Sequence, residues 1–430
     1  MSNRFSRFIS RIGERRLLLV IAGVAFGFQL LNLRAPNFYG EPFLVAKNIV
    51  ASKGYVFAYP ITTPIGPTCY VTPLYVYLQV PFLYFPWGER AIQVMNLLFL
   101  QAGCFVVYRF FRRFTSSSVA LLSFAVLSFY VPFWILSYTL DPNSLNLVLL
   151  ALTVECVYLL LVFPSLRQWI WFGILIGIQM LLRPDIALGA VLFSILIVLW
   201  NRSFATVKGI AVAAILSLVI VSPWTIRNYM LFHKFVLVSA NAGMNLYEGN
   251  NPVATGEFSE LPATPESRQD FSEIAEYSKT HDQIDVDRLR LKISEQWILA
   301  HPGKVFILDL KKAWYHWFGR PIMGEQFHYT FQRDALMFKI FGVLMLLFGL
   351  YGLNAIRNPK LQSLFITVFI YSTLVSAIFF VQSRHRILKV DPFLLPLAIV
   401  GLISALGYIR NPMRRPDLLV EAEQGEASSA

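Results

Sequence analysis

The sequence predicts an all-α polytopic membrane protein: a bundle of about ten transmembrane helices with an α-rich extracytoplasmic subdomain. Three observations carry this reading. Of 430 residues, 56% are hydrophobic and 14% charged, with mean hydropathy +0.56; soluble domains average roughly 45–50% apolar and about 25% charged. Ten apolar stretches approach the length of about 20 residues that a span needs. Lys and Arg recur in alternate short connections, the positive-inside pattern. The same composition excludes an ordinary cytosolic enzyme, a disordered chain and a nucleic-acid binder. The net charge of +12 is therefore read as contact with anionic lipid head groups. Cys69, Cys104 and Cys156 are too few and too scattered for a disulfide framework or a CxxC metal site.

In chain order, segment 1–16 is basic (Arg4, Arg7, Arg11, Arg15, Arg16) and precedes the apolar run 17–33. No small-residue cleavage site follows, so this run reads as a retained first helix. A first outer loop, 34–73, leads to the short apolar stretch 74–86 between Pro73 and Pro86, expected to lie at the membrane boundary. Spans at 91–108, 118–137, 143–163, 169–182, 186–200 and 209–224 bring the region 17–224 to seven. Segment 225–334 holds 14 of the 25 acids and five of the six histidines, so it reads as an extracytoplasmic subdomain, with a helical pattern over 267–300. Spans at 336–355, 363–381 and 392–409 make up the region 335–410, and 411–430 is a polar tail expected to be disordered. Arg109, Arg112 and Arg113, then Arg167, then Arg202 and Lys208, then Arg357 and Lys360 fall on one side. Both termini are therefore expected to be cytoplasmic.

Charges at the opposite boundary each need a reason. Glu41 opens a helical stretch directly after the first span, where the helix dipole favours an acid. Asp141 sits in a short Asp-Pro-Asn turn that also suits a helix cap. Both fall on one membrane face, where two carboxylates can serve general base catalysis. Arg183 ends the fifth span, and Arg384, His385, Arg386 and Lys389 crowd one short connection. Such cations either snorkel or bind an anion such as a phosphate. Glu155 lies inside the fourth span and suits either a pairing with Arg109 or a proton-coupled transporter. The six histidines show no HxxxH or HExxH spacing, so no His-based metal site is expected.

Several motifs then carry a resemblance. EPFLVAKNIVASKGY (41–55) follows the first span, and GPTCYVTPLY (66–75) precedes the second. The Asp141 turn and LRPD (182–185) come next, then PWTIRNY (223–229) and NAGMNLYEGNNP (241–252). SRHRILKVDP (383–392) precedes the last span. In this order the chain resembles the GT-C superfamily of membrane glycosyltransferases, specifically the bacterial family 39 protein-mannosyltransferase and aminoarabinose-transferase-like proteins.

The resemblance implies a GT-C-like bundle and transfer of a sugar from a polyprenyl-phosphate donor to a lipid, glycan or protein acceptor. By position, Glu41 is the implied base and Asp141 the second catalytic acid, although the family usually has Asp where this chain has Gly40 and Glu41. Arg183, Arg384, His385 and Arg386 are the implied donor-phosphate residues; Tyr70, Arg227, Asn250 and Asn251 are the implied substrate-binding residues. No cofactor or nucleic acid is implied, while Glu41, Asp141 and water could hold a divalent ion; the site would be extracytoplasmic, on a bacterial inner membrane. The alternatives are a transporter or flippase, which favours polar sites near the bilayer midplane and paired halves, and an envelope scaffold.

Overall fold

The computed structural model of the protein describes residues 13–33, 36, 40–57, 66–256, 265–319 and 335–407. The expected tail 411–430 and the cations Arg4, Arg7, Arg11, Arg410, Arg414 and Arg415 lie outside the described residues. The first half comprises α1 (Glu14–Leu31), α2 (Glu41–Val50), a short antiparallel pair β1 (Val56–Phe57) and β2 (Gly66–Pro67), α3 (Pro73–Leu83) and α4 (Gly88–Arg112). It continues with α5 (Ser117–Ser128), α6 (Val131–Tyr138), α7 (Asn143–Val162), α8 (Leu166–Met180), α9 (Ile186–Asn201) and α10 (Phe204–Phe232). The second half comprises α11 (Ala242–Gly249), α12 (Pro265–Ser278), α13 (Gln283–Ala300) and α14 (Pro302–Phe318). It ends with α15 (Ala335–Ala355), α16 (Pro359–Ile378), α17 (Ser383–Lys389) and α18 (Asp391–Ala405).

Helices occupy all ten apolar stretches. Among the described residues, four helices, α4, α7, α10 and α16, are by length and composition long and apolar enough to cross a membrane. A fifth crossing is available if α5 and α6, bent by 45° at a break, act as one. Several of the other helices are shorter or carry charge. α8, α9 and α18 have 15, 16 and 15 residues, below the ~20 of a straight crossing. α1 begins on Glu14, Arg15 and Arg16. The apolar stretch after the first loop forms α3, with Pro73 at its start.

The bundle is knit by close approach and by buried pairs. α15 and α18 touch backbone to backbone: a Cβ on Gly352 would lie 1.9 Å from the Leu397 carbonyl oxygen, so only glycine fits. Glu155, buried in α7, pairs with Arg109 of α4 and, at 3.0 Å, with Arg113 directly after that helix. That settles the charge by the structural route. The helical pattern over 267–300 divides into α12 and α13 because Asp282 caps α13. Its Oδ1 accepts from the Ile284 and Asp285 amides at 3.0 and 3.1 Å.

Candidate active site

The first acid is carried by α2. Gly40 is its N-cap and Glu41 stands in its first turn, where the helix dipole favours a carboxylate. Two residues on, Phe43 is buried against Ile92 of α4 and Leu140 of the turn between α6 and α7. This apolar knot joins the neighbour of Asp141 to the neighbourhood of Glu41, which are 100 residues apart in sequence. Burying such side chains contributes roughly 1.5–3 kcal/mol each, so the knot holds both acids in place.

The turn that carries Asp141 is clamped by three side-chain amides. Gln93 Nε2 donates to the Tyr138 carbonyl at 2.8 Å, Asn96 Nδ2 to that of Thr139 at 2.9 Å, and Gln79 Nε2 to that of Leu140 at 3.1 Å. Asn96 is itself fixed by the Tyr75 hydroxyl, which donates to its Oδ1 at 2.7 Å. Asp141 does not serve as a helix cap, because Pro142 occupies the N-cap of α7. Its carboxylate instead lies against the Gly40 backbone and 3.8 Å from Arg384 Nη1.

Charge and hydration set the character of the pair. Glu41 retains exposed surface although protein surrounds it on most sides, the situation of a carboxyl on the wall of a deep recess. Loss of hydration, reinforced by the negative charge of Asp141, pushes its pKa up to about 7, against the pull of Arg384 and a hydrogen bond from Tyr70. Burial also raises Asp141, opposed by Arg384 and Arg183. Glu248, at the end of α11, joins the group: burial and the charge of Glu41 push it up to about 7.

The cations divide into two sets. Arg384 pairs with Asp141, and its buried Nε has no hydrogen-bond partner among the described residues. Arg183 donates from Nε to Asp185 Oδ1 at 3.2 Å. Asp185 also accepts from Lys389 and, at 3.1 Å, from the Tyr371 hydroxyl. Burial alone would raise Asp185, but Lys389 and Arg183 outweigh it and hold the carboxylate well below its usual range. Lys389 is brought down to about 8 by burial and by Arg183 and Arg384, against Asp185. Arg386 is different. Its Nε binds Asp391 Oδ1 at 3.1 Å and its Nη1 donates to the Trp317 carbonyl at 2.5 Å, deep among α14, α17 and α18. His385 is buried beside Ser376 Oγ, 3.4 Å from its Nδ1, and burial with the surrounding cations lowers its pKa.

The four residues that the motifs suggest for substrate also part company. Tyr70 reaches the site, hydrogen-bonded to the Glu41 carboxyl and stacked on Phe57 at 6.1 Å. Arg227 lies over Trp224 and Tyr55 and donates to the Thr68 carbonyl at 2.7 Å, bracing the loop that presents Tyr70. Asn250 donates to the carbonyls of Leu246 and Ile378 and accepts from Lys312 Nζ at 2.9 Å. Asn251 donates to the Tyr247 carbonyl at 2.8 Å and accepts from the Val253 amide. Both asparagines are buried and hold the end of α11.

Sequence reasoning did not single out Glu248, Asp185 or the amides Gln79, Gln93 and Asn96 as site residues. The amides carried a signal: polar side chains inside apolar helices are costly and face a protein interior. Among the described residues, no group of three or more His, Cys, Asp and Glu side chains is placed to share a metal ion.

With this geometry in hand, the chain can be set beside known proteins. Residues 71–226 match the family model described as dolichyl-phosphate-mannose-protein mannosyltransferase. No curated protein matches the chain. Among solved structures, the chain is similar to the archaeal oligosaccharyltransferase AglB from Archaeoglobus fulgidus in complex with an inhibitory peptide and a dolichol-phosphate. The TM-score is 0.53 at 13% identity, covering 93% of this chain and 51% of that one. It is also similar to the Archaeoglobus fulgidus oligosaccharyltransferase tethered to an acceptor peptide by a disulfide bond, with TM-score 0.52 at 13% identity, covering 93% and 50%. The chain thus spans about half the length of these structures. It has the GT-C fold of an integral membrane protein, and α3 to α10 carry the sequence pattern of the mannosyltransferase family model.

Proposed function

We propose that the protein is a membrane glycosyltransferase that passes a sugar from a polyprenyl-phosphate donor to a lipid, glycan or protein acceptor. The reaction takes place at the extracytoplasmic face of a bacterial inner membrane, with both termini cytoplasmic. The observation that carries this reading is the meeting of Glu41, Asp141 and Arg384, from three distant parts of the chain, at one recess. Its support from without is that the matched family is named for dolichyl-phosphate-mannose and that one similar structure contains dolichol-phosphate.

In this reading, Glu41 is the base. An acceptor hydroxyl or amine attacks the anomeric carbon and its proton passes to the Glu41 carboxylate. The bond from that carbon to the phosphate oxygen breaks, and the phosphate leaves with the electron pair. A single displacement of this kind inverts the anomeric centre. Asp141 orients the acceptor, and Tyr70 fixes the Glu41 carboxyl. Arg384, with donors to spare, and Arg183 stabilise the charge that grows on the departing phosphate. Arg386, Arg227, Asn250 and Asn251 build the scaffold rather than touch the substrate.

The transporter reading loses its main support, because Glu155 is consumed by Arg109 and Arg113. The deciding experiment incubates purified protein with polyprenyl-phosphate sugars and follows release of the polyprenyl phosphate. Transfer or slow hydrolysis that depends on Glu41 is expected. Donor binding without any release, in the presence of varied acceptors, would overturn the reading.

A further inference from the structure

Helix α14 belongs to the segment whose composition reads as aqueous, yet it turns an apolar face outward. Phe306, Ile307, Leu310 and Trp314 are 65%, 62%, 56% and 61% exposed. Spaced at i, i+1, i+4 and i+8, they form one stripe along the helix. Lys304 and Lys311, both exposed, border it. A stripe of this size that no described residue covers is unusual for a surface in water.

The buried face shows where the helix lies. Lys312 Nζ donates to the Ala377 carbonyl at 2.9 Å, His316 Nδ1 meets Ser376 Oγ at 2.9 Å, and Trp317 Nε1 donates to Thr373 Oγ1 at 3.2 Å. The Trp317 ring stands 6.0 Å from that of Phe369. Rising residues on α14 thus meet falling residues on α16, so the two run antiparallel along the last turns of a helix long and apolar enough to span. From Ala377 back to Phe369, at about 1.5 Å per residue, α14 follows α16 for roughly 12 Å. Over the same stretch and below it, α16 presents Ile366, Ile370, Leu374 and Ile378 outward. The two exposed apolar faces belong to helices packed side by side, and the surface that covers one covers the other.

We propose that α14 is a lipid-contacting helix: acyl chains of the bilayer cover its Phe306, Ile307, Leu310 and Trp314 face. Its carboxyl-terminal half lies at membrane depth and Lys304 stays at the head-group level. Basic residues flanking an apolar stripe are what an interfacial helix presents to a lipid surface. The inference requires only that α16 spans and does not rest on the transferase reading. Its consequence reaches the site, because the opposite face of α14 holds Asn250 through Lys312 and faces Ser376, the neighbour of His385, through His316.

The test places single cysteines in the full chain, W314C, L310C and K304C, and labels each with a nitrobenzoxadiazole fluorophore in phosphatidylcholine vesicles containing spin-labelled lipid. Cys69, Cys104 and Cys156 are buried, so the unsubstituted chain serves as the blank. Quenching by spin-labelled lipid is expected to be severalfold stronger at position 314 than at 304, with the reverse order for aqueous iodide. Should W314C fail to fold, I307C reads the same face. If positions 310 and 314 are reached by iodide and not by the lipid quencher, α14 stands in water and the proposal falls. If they are shielded from both, another protein or a second copy covers the face, and the proposal falls equally.

Discussion

The Gly40 backbone lies so close to the Asp141 carboxylate that a Cβ at position 40 would come within 1.9 Å of Asp141 Oδ1. The carboxylate that fills the space beside Gly40 comes from the turn after α6. Gly40→Ala is therefore expected to displace Asp141 while leaving the helices intact. A misplacement of about 1 Å at a catalytic group costs on the order of 100-fold in rate. Turnover measured beside a melting curve would show it; normal turnover would mean that Asp141 has no bound geometry to lose.

Glu41→Gln keeps the size of the side chain and removes its basicity. General base catalysis contributes about 10²–10⁴-fold, so turnover should fall by that order with donor binding preserved. Glu41→Asp should retain part of the activity. Steady-state rates and direct binding of the donor distinguish a lost base from a lost binding group.

Raised carboxyl pKa values have a definite sign in stability and in rate. Glu41 and Glu248 are held near 7, above the ordinary glutamate value of 4.5. The folded state therefore favours their protonated forms. That contribution is complete below about 4.5 and fades as pH rises through 7. The melting temperature of the detergent-solubilised protein should decline over this interval, and Glu248→Gln should flatten the decline. Turnover should rise over the same interval, because only the ionised base accepts a proton. The charge of Glu41 helps to raise Glu248, so in Glu41→Gln the Glu248 carboxyl should titrate at lower pH. An unmoved titration would separate Glu248 from the site.

Arg384 and Arg386, two residues apart, should fail in different ways. Loss of a charge-assisted contact to phosphate costs about 1.5–3 kcal/mol, so Arg384→Ala should reduce donor use roughly tenfold to a hundredfold in a stable protein. Arg386→Ala strands the buried Asp391, and breaking a buried pair costs about 3–5 kcal/mol. Thermal unfolding should expose that loss before any assay does. Equal stability of the two variants would argue against this division.

Legibility followed the physics of each feature. Apolar periodicity and basic connections are local, and they located the apolar helices. They did not reveal that α8, α9 and α18 stop after four turns, and the helix α14 went unseen in a segment of polar composition. Glu41, Asp141 and Arg384 stood out because ionisable groups near a membrane demand a reason. What separated Arg384 from Arg386 is which way each points, decided by Asp391 and the Trp317 carbonyl, and no spacing rule contains it. Glu248 stayed hidden because a glutamate in a polar segment looks like any solvated acid. Its distinction is the company of Glu41, which only the fold supplies.

The three amides on consecutive carbonyls from Tyr138 to Leu140 bear on how this region can vary. A substitution at one clamp leaves two others to hold the turn. Inserting or deleting a single residue between Pro132 and Tyr138 would instead move every carbonyl off its donor at once and carry the acid away from Gly40. The stretch is thus permissive in side-chain identity and rigid in length, and the count of residues before the acid is itself part of what places its carboxylate.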